Sequence, residues 1–368
     1  MIAPPQALIA EVTHRCPMHC VYCSNPLEMQ SADRELSTDA WTAIIRDAAG
    51  LGCFHLHLTG GEPLSRKDVE QLVRVARDAG LYTNLITSGL GLSRARLKDL
   101  VAAGLDHIQL SFQDSVEETA NAIGGARAHA YKLRVASWIR EHRLAFTVNA
   151  VVHRHNLDRL QEFIGLAEQL NADKLEIANV QYYGWAFRNR DYLMPTRAQV
   201  AKSLPIVVAA QERLKGKMRI DFVLPDYYAK YPKPCMGGWG RKLILIDPAG
   251  RVMPCHAAGV IPGLQFENAQ DKPLRFIWEQ SDAFQCFRGD EWMQEPCRSC
   301  ERKGIDFGGC RCQAFLLTGD ATATDPTCSK APERSAVDEA VSKANRDDQL
   351  NQLPRGDWVY RIDPVMRA

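Results

Sequence analysis

The chain has 368 residues, 46% hydrophobic and 24% charged, with 25 Gly and 19 Pro. That composition excludes wholesale disorder and collagen-like repeats, and the length suggests two domains with ample chain for a core. Lys plus Arg number 45 against 44 Asp plus Glu, too small a basic excess to neutralise a phosphate backbone, so nucleic acid is not an expected partner. No apolar run approaches the ~20 residues of a membrane span, and the first ten residues lack the charged and apolar regions of a secretory signal. The sequence reads as a cytoplasmic protein.

Six apolar, β-branched or aromatic runs read as strands: Leu8–Val12, Phe54–Leu58, Tyr82–Ile86, His107–Phe112, Ala145–Val152 and Lys174–Ala178. Amphipathic segments lie between them. After Ser93, Leu97, Leu100 and Val101 share one helical face; after Asn156, Leu157, Leu160, Phe163, Ile164, Ala167 and Leu170 do. Ser37, Ser93 and Asn156 are the expected N-caps. Gly50, Gly80 and Gly104 are the expected helix stops, with Asn171 in the same role, because these residues accept a left-handed backbone. Six strand–helix units in series imply a parallel sheet with right-handed crossovers, too few for a closed eight-fold barrel. The expected fold class is α/β, an open partial (βα)6 barrel, with a flat doubly wound sheet as the lesser alternative. Residues 181–234 read as mixed, with a Tyr/Trp-rich loop over Gln181–Arg190 and a helix over Arg197–Leu214. That loop suits a peptide channel and a packing bridge equally. From Cys235 the chain turns to Gly, Pro and Cys, with a hairpin of Leu243–Ile246 and Arg251–Met253. The expected domains are 1–234, a barrel with its aromatic bridge; 235–330, a cysteine-rich domain stabilised by metal; and 331–368, a polar, mobile tail with a short helix.

Twelve cysteines are few for a disulfide scaffold, but they cluster. Cys16-x3-Cys20-x2-Cys23 follows the first strand directly. Three thiolates in one loop suit three irons of a cubane-type cluster, leaving the fourth iron open to a small ligand. Zinc is the alternative, although a structural zinc takes four closed ligands. Thr59-Gly60-Gly61-Glu62-Pro63 ends the second strand on the same face. Its glycines let backbone approach a ligand, and Glu62 suits an ammonium group; a plain strand-to-helix turn reads the same way. Ser88, Ser111, Gln113, Asn149 and His153 end later strands and are candidates for ribose or carboxylate contacts, or ordinary strand-end groups.

Cys16-x3-Cys20-x2-Cys23 together with Gly60-Gly61-Glu62-Pro63 resembles the radical S-adenosylmethionine (SAM) superfamily, whose fold is a partial (βα)6 barrel. The resemblance implies a [4Fe-4S] cluster on the three cysteines, with the open iron chelated by the amino and carboxylate groups of SAM. It also implies that the Gly60–Pro63 turn holds the methionine ammonium and that Tyr22 lies near the adenine. Ser88, Ser111 and Asn149 complete the expected cofactor contacts, Ser111 matching a serine common in the family and Gln113 replacing a more usual Asp.

Seven further cysteines, Cys235, Cys255, Cys297, Cys300, Cys310, Cys312 and Cys328, do not divide into two four-ligand sites without an eighth donor. The region resembles the SPASM extension of radical SAM enzymes that modify peptides. By that pattern Asp306 stands where a cysteine is usual, and a carboxylate oxygen can ligate iron; a surface acid is the alternative. The resemblance implies two auxiliary clusters. One, a [4Fe-4S] centre, is held by Cys297, Cys300, Asp306 and Cys328. The other is held by Cys235, Cys255, Cys310 and Cys312 and is [2Fe-2S] or [4Fe-4S]. Cys53 and Cys286 fall outside both and read as structural thiols.

The aromatic run Gln181–Arg190, the segment Cys23-Ser24-Asn25-Pro26, the stretch Asn149–Asn156 and Asp306 resemble one family, the PqqA peptide cyclases of pyrroloquinoline quinone biosynthesis. The resemblance implies reductive cleavage of SAM to a 5′-deoxyadenosyl radical. It further implies a carbon–carbon bond between Glu and Tyr side chains of the PqqA precursor peptide, with an auxiliary cluster accepting an electron. The implied partners are the peptide, the peptide chaperone PqqD and a flavodoxin-like electron donor. Two alternatives stand beside it: another SPASM maturase of thioether or sulfatase type, and a non-catalytic iron–sulfur or zinc protein. The latter needs neither an open three-cysteine loop nor the Glu62 turn. Asp114, Glu176 and Tyr182 are candidate pocket groups for the proton acceptor, with nothing to rank them.

Overall fold

In the computed structural model, which describes residues 2–346 and 357–364, the alternating pattern becomes a parallel sheet. β1 (Ala7–Thr13), β2 (His55–Gly60), β3 (Tyr82–Thr87), β4 (His107–Phe112), β5 (Ala145–Val152) and β6 (Lys174–Asn179) lie side by side in chain order, all parallel. Parallel neighbours need crossovers. Helices α1 (Thr38–Leu51), α2 (Val69–Asp78), α3 (Arg94–Ala103), α4 (Glu117–Gly124), α5 (His129–Glu141) and α6 (Leu160–Gln169) supply them. Alternate strand residues, such as Leu8, Ala10 and Val12 or Ile108, Leu110 and Phe112, are wholly buried with Ile45, Leu72, Leu97, Ile139 and Phe163 of the helices. The opposite set, including Ile86, Ser111, Asn149 and Val151, lines a cavity.

Caps agree with the sequence at two of three places. Ser37 and Ser93 accept the amides of Ala40 and Arg96 at 3.2 and 3.1 Å. Asn156 does not cap. Its buried amide ties two strand ends together, donating to the carbonyls of Gln113 (2.9 Å) and Val151 (3.0 Å). Gly50 lies inside α1, and Gly52, with φ of +115°, ends that helix instead. Gly80, Gly104 and Asn171 are left-handed as expected.

The sheet extends beyond the six predicted strands. Past α7 (Gly184–Arg188), α8 (Arg190–Leu193) and α9 (Arg197–Arg213), β7 (Arg219–Val223) adds in parallel to β6. The predicted hairpin forms, from β8 (Leu243–Ile246) and β9 (Val252–Met253), but β8 also pairs in parallel with β1. The order is therefore β7-β6-β5-β4-β3-β2-β1-β8-β9. All four β8 residues are buried, as a parallel strand covered on both faces requires. The cysteine-rich segment is thus welded to the barrel edge. The expected aromatic loop is a packing bridge: Tyr182, Tyr183 and Trp185 are each 9% exposed or less.

The segment after Cys328 carries the expected short helix, but that helix is packed against the barrel and is not part of a free tail. Ser335–Arg346 forms a helix whose Val337, Ala340, Val341 and Ala344 pack with Val21, Ile123 and Trp358. Residues 347–356 and 365–368 of the expected tail lie outside the described residues. Among the described residues no helix is long and apolar enough to cross a membrane.

Candidate active site and auxiliary thiolate centres

The three-cysteine loop leaves β1 at the C-terminal edge of the sheet, where loops of α/β barrels build active sites. Backbone bonds hold it on several sides. Gly61 and Glu62 amides donate to Thr13 and Arg15 carbonyls at 2.7 and 2.8 Å. His19 and Val21 amides donate to Gly124 and Ile123 at the end of α4, and Ala186 of α7 donates to Cys23. Gly60 and Gly61 are needed for this approach. A Cβ on Gly60 would stand 2.1 Å from the Thr13 carbonyl oxygen, and one on Gly61 2.4 Å from that of Arg15.

Beneath the loop lies a cavity of about 300 Å³. Cys16, Cys20, Cys23, Tyr22, Gly60, Gly61, Ser88, Ser111 and Asn149 all line it, so the structure brings together most of the residues predicted for one site. Glu62 and Pro63 do not line it. Glu62 is 1% exposed, and its carboxylate is occupied. The Thr87 hydroxyl donates to Oε1 at 2.6 Å and the Leu64 amide at 3.1 Å, while the Ser88 amide and hydroxyl donate to Oε2 at 2.7 and 2.5 Å. Burial raises the Glu62 pKa, and these donors oppose it. Glu62 thus shapes the end of β3, and the wall it was expected to provide is backbone. Pro63 instead opens a short 3-10 turn.

Sequence reasoning missed Lys132. It is 1% exposed and sits on the buried face of α5 with Val135, Ala136 and Ile139, a spacing of three, four and seven that marked it as inward-facing. Its ammonium donates to the Ser111 carbonyl at 3.0 Å and to Gln113 Oε1. Gln113 Nε2 in turn donates to the Tyr22 hydroxyl at 2.9 Å. Gln113 is therefore a bridge between a buried cation and the aromatic ring of the loop. Burial lowers the Lys132 pKa to about 8, with the neighbouring Cys20, Glu62 and Cys16 opposing. His153 is fully buried, its ring 5.9 Å from that of Tyr22. None of Asp114, Glu176 and Tyr182 lines the cavity. Asp114 binds Arg159, Glu176 binds Lys174 at 3.2 Å, and the Tyr182 ring packs on Tyr227 at 5.1 Å.

The C-terminal cysteines form two groups. Cys235, Cys255, Cys310 and Cys312 share one apolar cluster. Cys255 and Cys312 sulfurs are 3.8 Å apart, and the Tyr183 hydroxyl lies 3.0 Å from Cys310 Sγ. Hydrogen bonds from Cys235, Cys312 and Tyr183 push the Cys310 thiol well down, which favours thiolate there. Cys297, Cys300, Asp306 and Cys328 face one another around a second pocket. Asp306 is 7% exposed, its Oδ2 3.4 Å from Arg302 Nε, which is not the setting of a surface acid. Between Asp306 and Cys310 the chain passes through Phe307, Gly308 and Gly309, all with positive φ. That reversal sends two neighbouring donors to different groups. Cys53 belongs to neither; Cys286 shares the first group's apolar cluster, but its Sγ turns to the Ala283 carbonyl at 3.5 Å. Burial raises these two thiols to about 12 and about 11.

A single zinc gathers its ligands within ~2.3 Å of one point. Among the described residues no three His, Cys, Asp or Glu side chains converge so tightly. Thiolates spread over the irons of a cluster need no common point, and three donors facing a ligand-sized cavity fit a cluster with one open iron. The soft donor set of both C-terminal groups also fits iron–sulfur chemistry.

Fold and site together define a radical SAM enzyme with an appended iron–sulfur-binding domain. The family model of the Radical SAM superfamily matches residues 10–167, and the SPASM model, an iron-sulfur cluster-binding domain, matches 235–301. The chain is 53% identical to a PqqA peptide cyclase of Rhizobium meliloti (strain 1021), over 91% of this chain and 90% of that one. It is 50% identical to one from Methylocella silvestris, over 98% and 96%. The fold also matches Streptococcus suis SuiB bound to its precursor peptide SuiA, with a TM-score of 0.73 at 18% identity, over 89% of this chain and 76% of that one. The chain belongs to the PqqA peptide cyclase family.

Proposed function

We propose that this enzyme joins a Glu and a Tyr side chain of a small precursor peptide through a new carbon–carbon bond. The observation that carries the reading is the cavity of about 300 Å³ shared by the three-cysteine loop and the strand ends, in a chain about half identical to PqqA peptide cyclases over nearly its whole length. Cys16, Cys20 and Cys23 would hold a [4Fe-4S] cluster, which when loaded supplies the electron that splits SAM into methionine and a 5′-deoxyadenosyl radical. The balance of the reaction is two hydrogens lost from the peptide. One would leave as an atom to the 5′-deoxyadenosyl group, giving 5′-deoxyadenosine; the other would leave as a proton to solvent and an electron to an auxiliary cluster when the tyrosine ring regains aromaticity.

The residues of the chain position the reactants. Thr59, Gly60 and Gly61 line the cavity where Glu62 does not, and their backbone would take the methionine ammonium beside Asn25, whose side chain donates to the Gly60 carbonyl at 3.3 Å. Lys132 does not line the cavity; from behind its wall it holds the Ser111 carbonyl and the Gln113 side chain, two residues that do. Tyr22, held by Gln113, presents its ring to the adenine, with Ser88 and Asn149 as polar contacts. Closing this space against water keeps the radical from side reactions, and near-contact placement, ~3–3.5 Å between reacting atoms, directs it to one hydrogen. The two C-terminal groups would hold auxiliary clusters: [4Fe-4S] at Cys297, Cys300, Asp306 and Cys328, and [2Fe-2S] or [4Fe-4S] at Cys235, Cys255, Cys310 and Cys312. Tyr183 joins the latter to the bridge beside the barrel. A chaperone presenting the peptide leader and a flavodoxin-like electron donor complete the proposed system.

The test is an anaerobic reaction of reconstituted enzyme, SAM, reductant, PqqA and PqqD, read by peptide mass spectrometry. A loss of two hydrogens mapped to a Glu–Tyr link, matched by 5′-deoxyadenosine, is the expected result. Formation of 5′-deoxyadenosine with an unchanged peptide, or a link at other residues, would overturn the substrate reading.

A further inference from the structure

The last described segment, 357–364, returns from the far end of the chain to the three-cysteine loop. Arg361 is 2% exposed and lines the cavity with Cys16, Cys20 and Cys23. Its guanidinium donates to the His14 carbonyl, lies 3.5 Å from that of Met18, and stands 3.3 Å from Met29 Sδ. His14 and Met18 straddle Cys16, so one side chain spans the first cysteine. The Arg361 carbonyl meets His19 Nδ1 at 2.8 Å; a carbonyl only accepts, which places the ring proton on Nδ1. Asp363 Oδ2 accepts the amide of Cys16 itself at 2.8 Å.

This segment is anchored on both sides of the loop. The Asn189 side chain accepts from the Val359 amide and donates to the Val359 carbonyl, both at 2.8 Å, and also donates to the Val21 carbonyl inside the loop at 2.8 Å. The Tyr360 hydroxyl donates to the Ala122 carbonyl at 3.1 Å. Trp358 packs with Val21 and Ile123. Contacts this numerous are more than a solvated tail needs.

We infer that Arg361 and Asp363 are positioning residues of the barrel site, holding the three-cysteine loop in the geometry that receives its cluster and setting the charge the cluster meets. The inference rests on the reading that Cys16, Cys20 and Cys23 hold a cluster. Three thiolates make the bound group negative, and reduction makes it more so. A buried guanidinium on the cavity wall stabilises the reduced form and raises its potential, as outer contacts to cluster sulfurs do elsewhere.

The test uses the full chain, loaded anaerobically with iron and sulfide. Wild type, Arg361→Ala, Arg361→Lys, Asp363→Asn and the triple Cys16/Cys20/Cys23→Ala variant are compared. Readouts are iron retained against a chelator and the midpoint potential of the signal that the triple variant lacks. Arg361→Ala should lose iron from that site roughly 10-fold faster and lower its potential, with both auxiliary signals unchanged. Arg361→Lys should recover most of the potential but less of the retention, since lysine keeps the charge and loses the fork that spans Cys16. Asp363→Asn should weaken retention alone. Wild-type retention and potential in Arg361→Ala overturn the inference. Should that variant also lose its auxiliary signals, Arg361→Lys and Asp363→Asn with both values unchanged overturn it equally. A triple variant that binds as much iron as wild type would overturn the cluster reading itself, a separate failure visible before Arg361 is touched.

Discussion

The barrel site and the cysteine-rich domain use the same side chain to opposite ends. In the barrel, three thiols from one loop face a cavity of about 300 Å³ lined by strand-end Ser, Asn and Gly residues. In the C-terminal domain, each proposed group gathers four side chains from separate short stretches of chain, and the Cys235 group is packed among Trp239, Leu245, Met253 and Phe287. On the proposed ligand sets, three donors would leave room for a ligand to react, and four would close the coordination sphere and leave electron handling as the chemistry. The lesson is that donor number and the space beside it, more than cysteine count, divide a catalytic centre from an auxiliary one.

The largest effect should come from removing the open site. Replacing Cys16, Cys20 and Cys23 with Ala is expected to abolish SAM cleavage while both auxiliary signals persist; 5′-deoxyadenosine assay and EPR check it. Next in size is Gly60→Ala. Its Cβ meets the Thr13 carbonyl oxygen at 2.1 Å in a left-handed backbone, so the turn must move off the loop at a cost of about 3 kcal/mol. Thermal unfolding should fall, and iron should be lost from the barrel site ahead of the others.

Two smaller changes sharpen the comparison from the closed side. Asp306→Ala should disturb the auxiliary centre of Cys297, Cys300 and Cys328 and spare the other two, whereas Asp306→Cys should restore it; unaltered spectra in the Ala variant would remove Asp306 as a ligand. Smallest is Tyr183→Phe, which deletes the hydroxyl 3.0 Å from Cys310 Sγ at about 1–2 kcal/mol. It should lower the potential of the Cys235 centre alone, as a redox titration of that signal would report, with peptide modification slowed only a few-fold.

How much of this was legible in the sequence follows from the range of the signal. Strands β1 to β6 and the Ser37 and Ser93 caps are local patterns, and they read correctly. β8 was read as half of a hairpin because its nearest partner is β9. Its four consecutive apolar residues, Leu243–Ile246, carried the further sign of a strand buried on both faces. Glu62 was matched to an ammonium by charge, but four nearer donors take its carboxylate, and no one-dimensional pattern reports that competition. Lys132 was passed over because a helical lysine is ordinarily solvated, although its spacing to Val135, Ala136 and Ile139 placed it inward. Arg361 and Asp363 lie over 340 residues from Cys16, in a segment that mixes Trp358, Val359, Tyr360 and Ile362 with charged residues, so only the folded chain could bring them to it.

The central claim is that the three-cysteine loop, and neither C-terminal group, receives SAM. EPR of the reduced enzyme with and without SAM tests it most directly. The account predicts that SAM alters one signal only, the one missing from the Cys16/Cys20/Cys23→Ala variant, and leaves the auxiliary signals as they were. A SAM-induced change in a signal that survives in that variant would contradict it.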